Sequence, residues 1–239
     1  MMATPKQRKL LLLNNVIITN SKIMKAICLS ILLFVSVVIH AQTITIGVNC
    51  AYSNSSVSNN APYTKSNNGF KMGVNLQYAF DAYFVLVSEL NYEQKGSNGD
   101  INYTNTNGDI TLTYNKTQYL HYATLPVLFR LQYGNKLKPF IDAGFYYGFL
   151  VNAWENPQTV GIDHTVTSNF NRSDAGVCYG AGLTYLLNKQ FTLSAEWRMN
   201  NGLMDISKNG NNARNQSNIF QLSVIYTLNG LNKKVDEKK

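Results

Sequence analysis

Few residues of this chain combine the type and spacing that chemistry needs. Of three histidines, His40 lies in an apolar N-terminal stretch, which leaves His121 and His164 as candidate bases. A hydrolase needs a nucleophile and an orienting carboxylate within hydrogen-bond reach of such a base. Asp163, His164 and Ser168 supply the types, but a polar loop produces such neighbours by chance, so no catalytic residue is assigned. Two scattered histidines without Cys/His spacing make no metal site. No G-x-G-x-x-G or Walker pattern follows a strand and opens a helix, so no phosphate-cradling loop and no cofactor is expected. Of three cysteines, Cys28 belongs to the N-terminal stretch. Cys50 falls on an apolar phase and Cys178 on a polar one, which argues against a bridge; both are expected to be small, buried, structural thiols. What remains is a set of charges inside apolar segments: Glu89, Glu93, Asp142 and Glu196 with Lys71, Lys95, Arg130 and Arg198.

The segments that carry these charges alternate. From Phe70 to Phe80, Met72, Val74, Leu76 and Tyr78 are apolar, with Lys71, Gly73, Asn75 and Gln77 small or polar between them. A period of two puts successive side chains on opposite faces of a strand. The pattern recurs over 43–52, 69–80, 83–95, 117–133, 138–151, 174–187, 190–200 and 216–228. Most of these reach the roughly 9 to 11 residues that carry a tilted strand across a bilayer. The connections Asp81-Ala82, Gly134 to Leu137 and Asn188-Lys189 are tight, whereas 53–68, 96–116, 152–173 and 201–215 are long. The spacing predicts an all-β fold: an eight-stranded antiparallel up-and-down transmembrane β-barrel with short periplasmic turns, long outer loops and both termini on the periplasmic side. The long loops are rich in Asn, Ser, Thr and Gly and are expected to stay mobile. Gly96 to Asn115, with Asn-Gly and Gly-Asp pairs, has the makings of a projecting hairpin.

Volume decides which face points out. One face collects Ile46, Val48, Leu76, Leu90, Phe129, Phe145, Trp197, Leu222 and many more bulky groups, too many for the narrow interior of eight strands with room for a ligand. The other face carries Gly47, Gly73, Gly144, Gly148, Gly180 and Gly182, which make space for longer neighbours, together with the eight charges. Charges in a tight lumen must be paired or they cost several kcal/mol each. Lys71, Glu89, Glu93, Lys95, Arg130, Asp142, Glu196 and Arg198 are therefore expected to form an interior ion network that plugs the barrel. Tyr52, Phe70, Tyr92, Tyr119 and Phe149 at outer strand ends, and Tyr78, Phe80, Tyr133, Tyr185, Phe191 and Tyr226 at inner ends, would make two aromatic girdles. Pro126, inside a strand, removes a ladder donor and should mark a bulge or an edge-like break.

The net charge of +8 suggests nucleic acid until it is divided along the chain. Residues 1–42 hold five Lys/Arg and no Asp/Glu, which leaves 16 basic against 13 acidic residues beyond them. The body is nearly neutral, and no nucleic-acid partner is expected. Residues 1–41 read as a targeting region. The signal peptide is expected at 24–41, with Lys25 as the positive start, Ala26 to Ile39 as the apolar run and Ala41 at the cleavage site. Residues 1–23 are either an over-long start or a lengthened presequence. The barrel domain is assigned to 42–228 and a charged tail to 229–239; the tail either contacts a periplasmic partner or frays.

Several stretches resemble the PorT-like outer-membrane β-barrel family of Bacteroidetes-type bacteria. Glu89-Leu90-Asn91-Tyr92-Glu93-Gln94-Lys95-Gly96 resembles its third strand, and Tyr122-Ala123-Thr124-Leu125-Pro126-Val127-Leu128-Phe129-Arg130 its fourth. Lys138-Pro139-Phe140-Ile141-Asp142-Ala143-Gly144 is similar to the fifth; Asp174-Ala175-Gly176 with Gly180-Ala181-Gly182-Leu183 to the sixth; and Glu196-Trp197-Arg198-Met199-Asn200-Asn201-Gly202-Leu203 to the seventh. The resemblance implies a Gram-negative outer-membrane location, a lipid environment, and a non-enzymatic role beside secretion or assembly machinery. An extracellular ligand is left unspecified. A loop-borne hydrolase and a soluble periplasmic ligand-binding barrel are the alternatives.

Overall fold

The computed structural model describes residues 43–107, 109–157 and 164–228. The expected targeting region and the charged tail lie outside these residues. The described chain forms β1 (Thr43–Ser58), β2 (Lys65–Ala79), β3 (Phe84–Thr104), β4 (Ile110–Gln132), β5 (Leu137–Pro157), β6 (His164–Thr165), β7 (Ser173–Leu186), β8 (Phe191–Gly202) and β9 (Arg214–Thr227). Eight long strands pair antiparallel with their sequence neighbours, β4 pairs with β5, and β1 pairs with β9 from Thr45↔Thr227 to Ser58↔Arg214, which closes the ring. β6 is a two-residue addition to the outer part of β5, through Trp154↔Thr165 and Glu155↔His164.

Adjacent residues settle the faces. Leu128 is 0% exposed and Phe129 is 64% exposed. Ile46, Val48, Leu76, Leu90, Phe145, Trp197 and Leu222 all point outward, and Lys71, Glu89, Arg130 and Arg198 are buried. An apolar exterior around a polar interior inverts the packing of a water-soluble barrel and matches a lipid solvent. Cys178 is buried, but Cys50 is exposed on the outer wall, so the expectation of two buried thiols fails for Cys50. Its apolar phase faces lipid.

The strands run well past the expected ends on the outer side. The stretch 96–116 is mostly a two-stranded ribbon, paired from Gly99↔Lys116 to Thr104↔Ile110. Thr113 Oγ1 donates to Asn102 Oδ1 at 2.9 Å and Asn115 Nδ2 to Asp100 Oδ1 at 3.1 Å. The projecting hairpin expected of Gly96 to Asn115 is present, and backbone pairing with cross-strand side-chain bonds orders it without a core. The expectation of loops too polar to bury apolar surface fails at 164–172 and 203–213. Those segments fold over the outer mouth, where Phe170, Ile206 and Ala213 pack with Val57, Leu120, Tyr122, Leu150 and Ala153. Asp205 ties the second segment together by accepting from the backbone N–H groups of Ser207, Asn212 and Ala213. Residues 158–163 lie outside the described part.

Pro126 causes no bulge. The β3–β4 ladder omits Glu89 and Leu90 opposite Leu125 and Pro126, then resumes in the same register, while Pro126↔Tyr146 is kept on the β5 side. A missing N–H interrupts the ladder without inserting a residue. The offset between this strand and β5 lies at His121/Tyr122, opposite Asn152 and Leu150, so Val151 is the extra residue.

Candidate functional site

The lumen charges come from the inward phases of four adjacent strands, β2 to β5, and of β8 across the ring. β2 supplies Lys71, β3 Glu89 and Glu93 and Lys95, β4 Arg130, β5 Asp142, and β8 Glu196 and Arg198. Arg198 spans the interior to β3, its two terminal nitrogens donating to the Glu89 carboxylate at 2.9 Å each. Lys71 Nζ donates to the same carboxylate at 3.0 Å and Gln221 Nε2 at 2.9 Å. Arg198 also donates to Glu196, through Nε at 2.5 Å. Arg130 grips Asp142 with two bonds of 2.9 and 2.7 Å and reaches Glu196 at 3.2 Å. Six of the eight expected residues thus form one chain of three cations and three anions. Bidentate guanidinium–carboxylate bonds are the strongest of their kind, and here they replace the water these charges left behind.

Glu93 and Lys95 belong to a second cluster. Lys95 Nζ lies 3.2 Å from Asp174 and 4.0 Å from Glu93, with the Tyr146 and Tyr122 ring centroids 4.5 and 5.2 Å away. Tyr146 donates its hydroxyl to Asp174 at 3.2 Å, and Asn215 Nδ2 donates to Asp174 at 2.9 Å and to the Tyr122 hydroxyl at 3.2 Å. Sequence reasoning missed Asp174, Tyr122, Tyr146 and Asn215. Asp174 shares the inward phase of Gly176, Cys178 and Gly180, so strict alternation carried to the first residue of the strand would have found it. With Asp174, the acids of the two clusters exceed the bases by one.

The inward glycines do more than make room for side chains. At Gly144 a Cβ would sit 2.0 Å from the Val127 carbonyl oxygen, and at Gly180 2.5 Å from that of Trp197. Gly148 matches the expectation, with Tyr122 and Thr124 side chains as its nearest neighbours.

His121 points outward, hydrogen-bonded to the Tyr92 hydroxyl, with the Tyr92 and Trp154 rings 5.8 and 5.6 Å away. It joins the outer aromatic girdle. Among the residues considered for hydrolysis, His164 is exposed at β6, Ser168 donates to Asn169 at 3.4 Å, and Asp163 lies outside the described residues. Above the membrane Tyr63 donates to Glu155 at 2.5 Å, and burial, then the Glu155 bond and charge, push its hydroxyl well above the ordinary tyrosine range.

The fold is shared with solved outer-membrane barrels. Neisserial surface protein A superposes with a TM-score of 0.50 at 13% identity, over 79% of this chain and 100% of that one. Ail, the attachment invasion locus protein of Yersinia pestis, gives 0.44 at 13%, over 78% and 99%. The outer membrane enzyme PagL gives 0.33 at 14%, over 75% and 98%. No curated protein matches the chain. The family model for the outer membrane protein beta-barrel domain matches residues 40–208, more than half of the sequence. A closed eight-stranded ring with an apolar exterior, a polar interior and this match lead to one conclusion: the chain belongs to the outer membrane protein beta-barrel domain family, a component of the Gram-negative outer membrane.

Proposed function

We propose that this protein is a closed, non-conducting barrel that works through its rims rather than through its lumen. The observation that carries this reading is the double obstruction of the interior. Arg198, bonded to Glu89 and Glu196, bridges the lumen, and Phe170 and Ile206 seal the outer mouth above it. Eight strands leave an interior just wide enough for side chains to fill, whereas open channels are built from many more. What is left for partners is the set of outer ribbons and loops and the periplasmic turns. In its specific form the reading is non-enzymatic association with protein-export machinery at the periplasmic rim, the role that the PorT-like resemblance suggests, after removal of a signal peptide at Ala41.

Deletion of the gene tests this, with complementation by the full chain and by one ending at Leu228. Quantitative comparison of surface and secreted proteins should reveal loss of particular exported proteins from intact outer membranes. Failure of the shorter chain would assign the contact to the tail. An unchanged export profile would remove the secretion role and leave the outer loops as the working surface. N-terminal sequencing of the membrane-extracted protein should begin at Gln42.

A further inference from the structure

Three consecutive turns line the short-turn rim, at 80–83, 133–136 and 187–190. They enclose a hollow of about 560 Å³ bordered by Ala82, Gly134, Lys136, Lys138, Leu187 and Lys189. Among the described residues, none of these three lysines has a carboxylate within ion-pair distance. Asp81 is the one acid in the three turns, and it already accepts from the backbone N–H groups of Tyr83 and Phe84 at 2.7 Å each. Among the described residues the hollow is therefore cationic and uncompensated, which favours an anion.

A second feature tells which kind. Lys136 holds its ammonium 5.3 Å from the ring centroid of Tyr185, an outward-facing residue of the inner aromatic girdle. Tyr185 also closes one end of an apolar groove of about 520 Å³ on the outer wall, bordered by Leu183, Leu193, Ala195, Leu222 and Cys50. Ala195 is the small residue among leucines that gives the groove its depth. Lys136, at the border of the hollow, thus reaches the tyrosine that borders the groove, where headgroups give way to acyl chains.

The geometry points to a binding site for an anionic phospholipid of the inner leaflet, its phosphate among Lys136, Lys138 and Lys189 and one acyl chain in the groove beyond Tyr185. This rests on the membrane-embedded reading above and adds a chemical class of ligand to it. An acidic peptide would match the lysines but leave the groove uncovered. A polybasic cluster at a membrane surface gains roughly fivefold in binding for each lysine engaged.

Native mass spectrometry of the full chain in detergent tests the site. The probes are dioleoyl phosphatidylglycerol and dioleoyl phosphatidylcholine, with inorganic phosphate added at matched ionic strength as competitor. Wild type should retain phosphatidylglycerol at least about tenfold better than phosphatidylcholine, with inorganic phosphate competing poorly. K136Q/K138Q/K189Q should lose that preference, and K208Q, on the outer side, should keep it. A195F, which fills the groove without changing charge, should reduce retention of both lipids. A preference that survives the triple substitution, or equal retention of both lipids by A195F and wild type, would overturn the site. Equal displacement of phosphatidylglycerol by inorganic phosphate would reduce it to a bare anion site. Loss of export by the triple variant with its lipid preference intact would assign the lysines to a protein partner. A heat-modifiable gel shift in neutral phosphatidylcholine vesicles separates these outcomes from failure to insert, which would instead sink the barrel reading itself.

Discussion

At the scale of single residues, Arg198 is the most heavily bonded of the interior charges, since it is 0% exposed and makes four bonds to two carboxylates, against three for Arg130. Arg198→Ala strands Glu89 and Glu196 partly unpaired in a buried site, at a cost of about 3–5 kcal/mol; the urea midpoint of the folded barrel in detergent should fall accordingly. Leu222→Arg puts a charge on the lipid face near mid-strand and should cost about 2–4 kcal/mol in the same assay. A barrel that folds and inserts normally with Arg at this position would reverse the assignment of faces. Gly144→Ala must push the Val127 backbone aside and should destabilise by about 1–3 kcal/mol. Most of the lumen charges were legible because period-two phase places a charge unambiguously once its segment is amphipathic. Asp174 was not, because it stands at the end of its segment, where phase merges with loop. Tyr122 and Tyr146 escaped because an aromatic ring on the polar face looks misplaced until its hydroxyl and ring face are seen to serve Asp174 and Lys95.

At the scale of elements, the bilayer-crossing part of each strand was legible, and beyond it only the hairpin of Gly96 to Asn115 was. Within the bilayer, lipid demands one apolar face. Above it, the 99–116 ribbon still alternates, with Ile101, Tyr103, Ile110, Leu112 and Tyr114 separated by polar residues, but its Asn, Thr and Gly content is that of a loop and masks the signal. The two-residue β6 has no sequence signal of its own, since it exists through pairing with Trp154 and Glu155. Replacing 100–115 with a tight turn should leave the heat-modifiable shift and the unfolding midpoint of the barrel unchanged, as the ribbon buries no part of either apolar cluster. Ile206→Asp should act locally in the opposite sense. An unpaired carboxylate at a position 0% exposed is expelled from the cap, and limited proteolysis should then cut within 203–213 where the wild-type protein resists.

At the scale of the whole molecule, closure and solvent inversion follow from even strand number, alternating loop lengths and the bulk of one face. A planar bilayer containing the purified chain should show no steady ion conductance. Sustained channels in the wild-type protein would contradict the obstruction by Arg198 and the cap. One further property follows from the fact that Glu89 meets Arg198 across the interior, from strands that share no edge. Amphipathic alternation is blind to a slip of two residues, because every greasy side chain still faces lipid after such a slip. The cross-lumen bonds are not blind to it: a two-residue error that displaces β3 relative to β8 carries Glu89 about 7 Å along the strand axis from Arg198. The buried charges thus act as a proofreading device for assembly, rejecting misregistered rings that the membrane alone would accept.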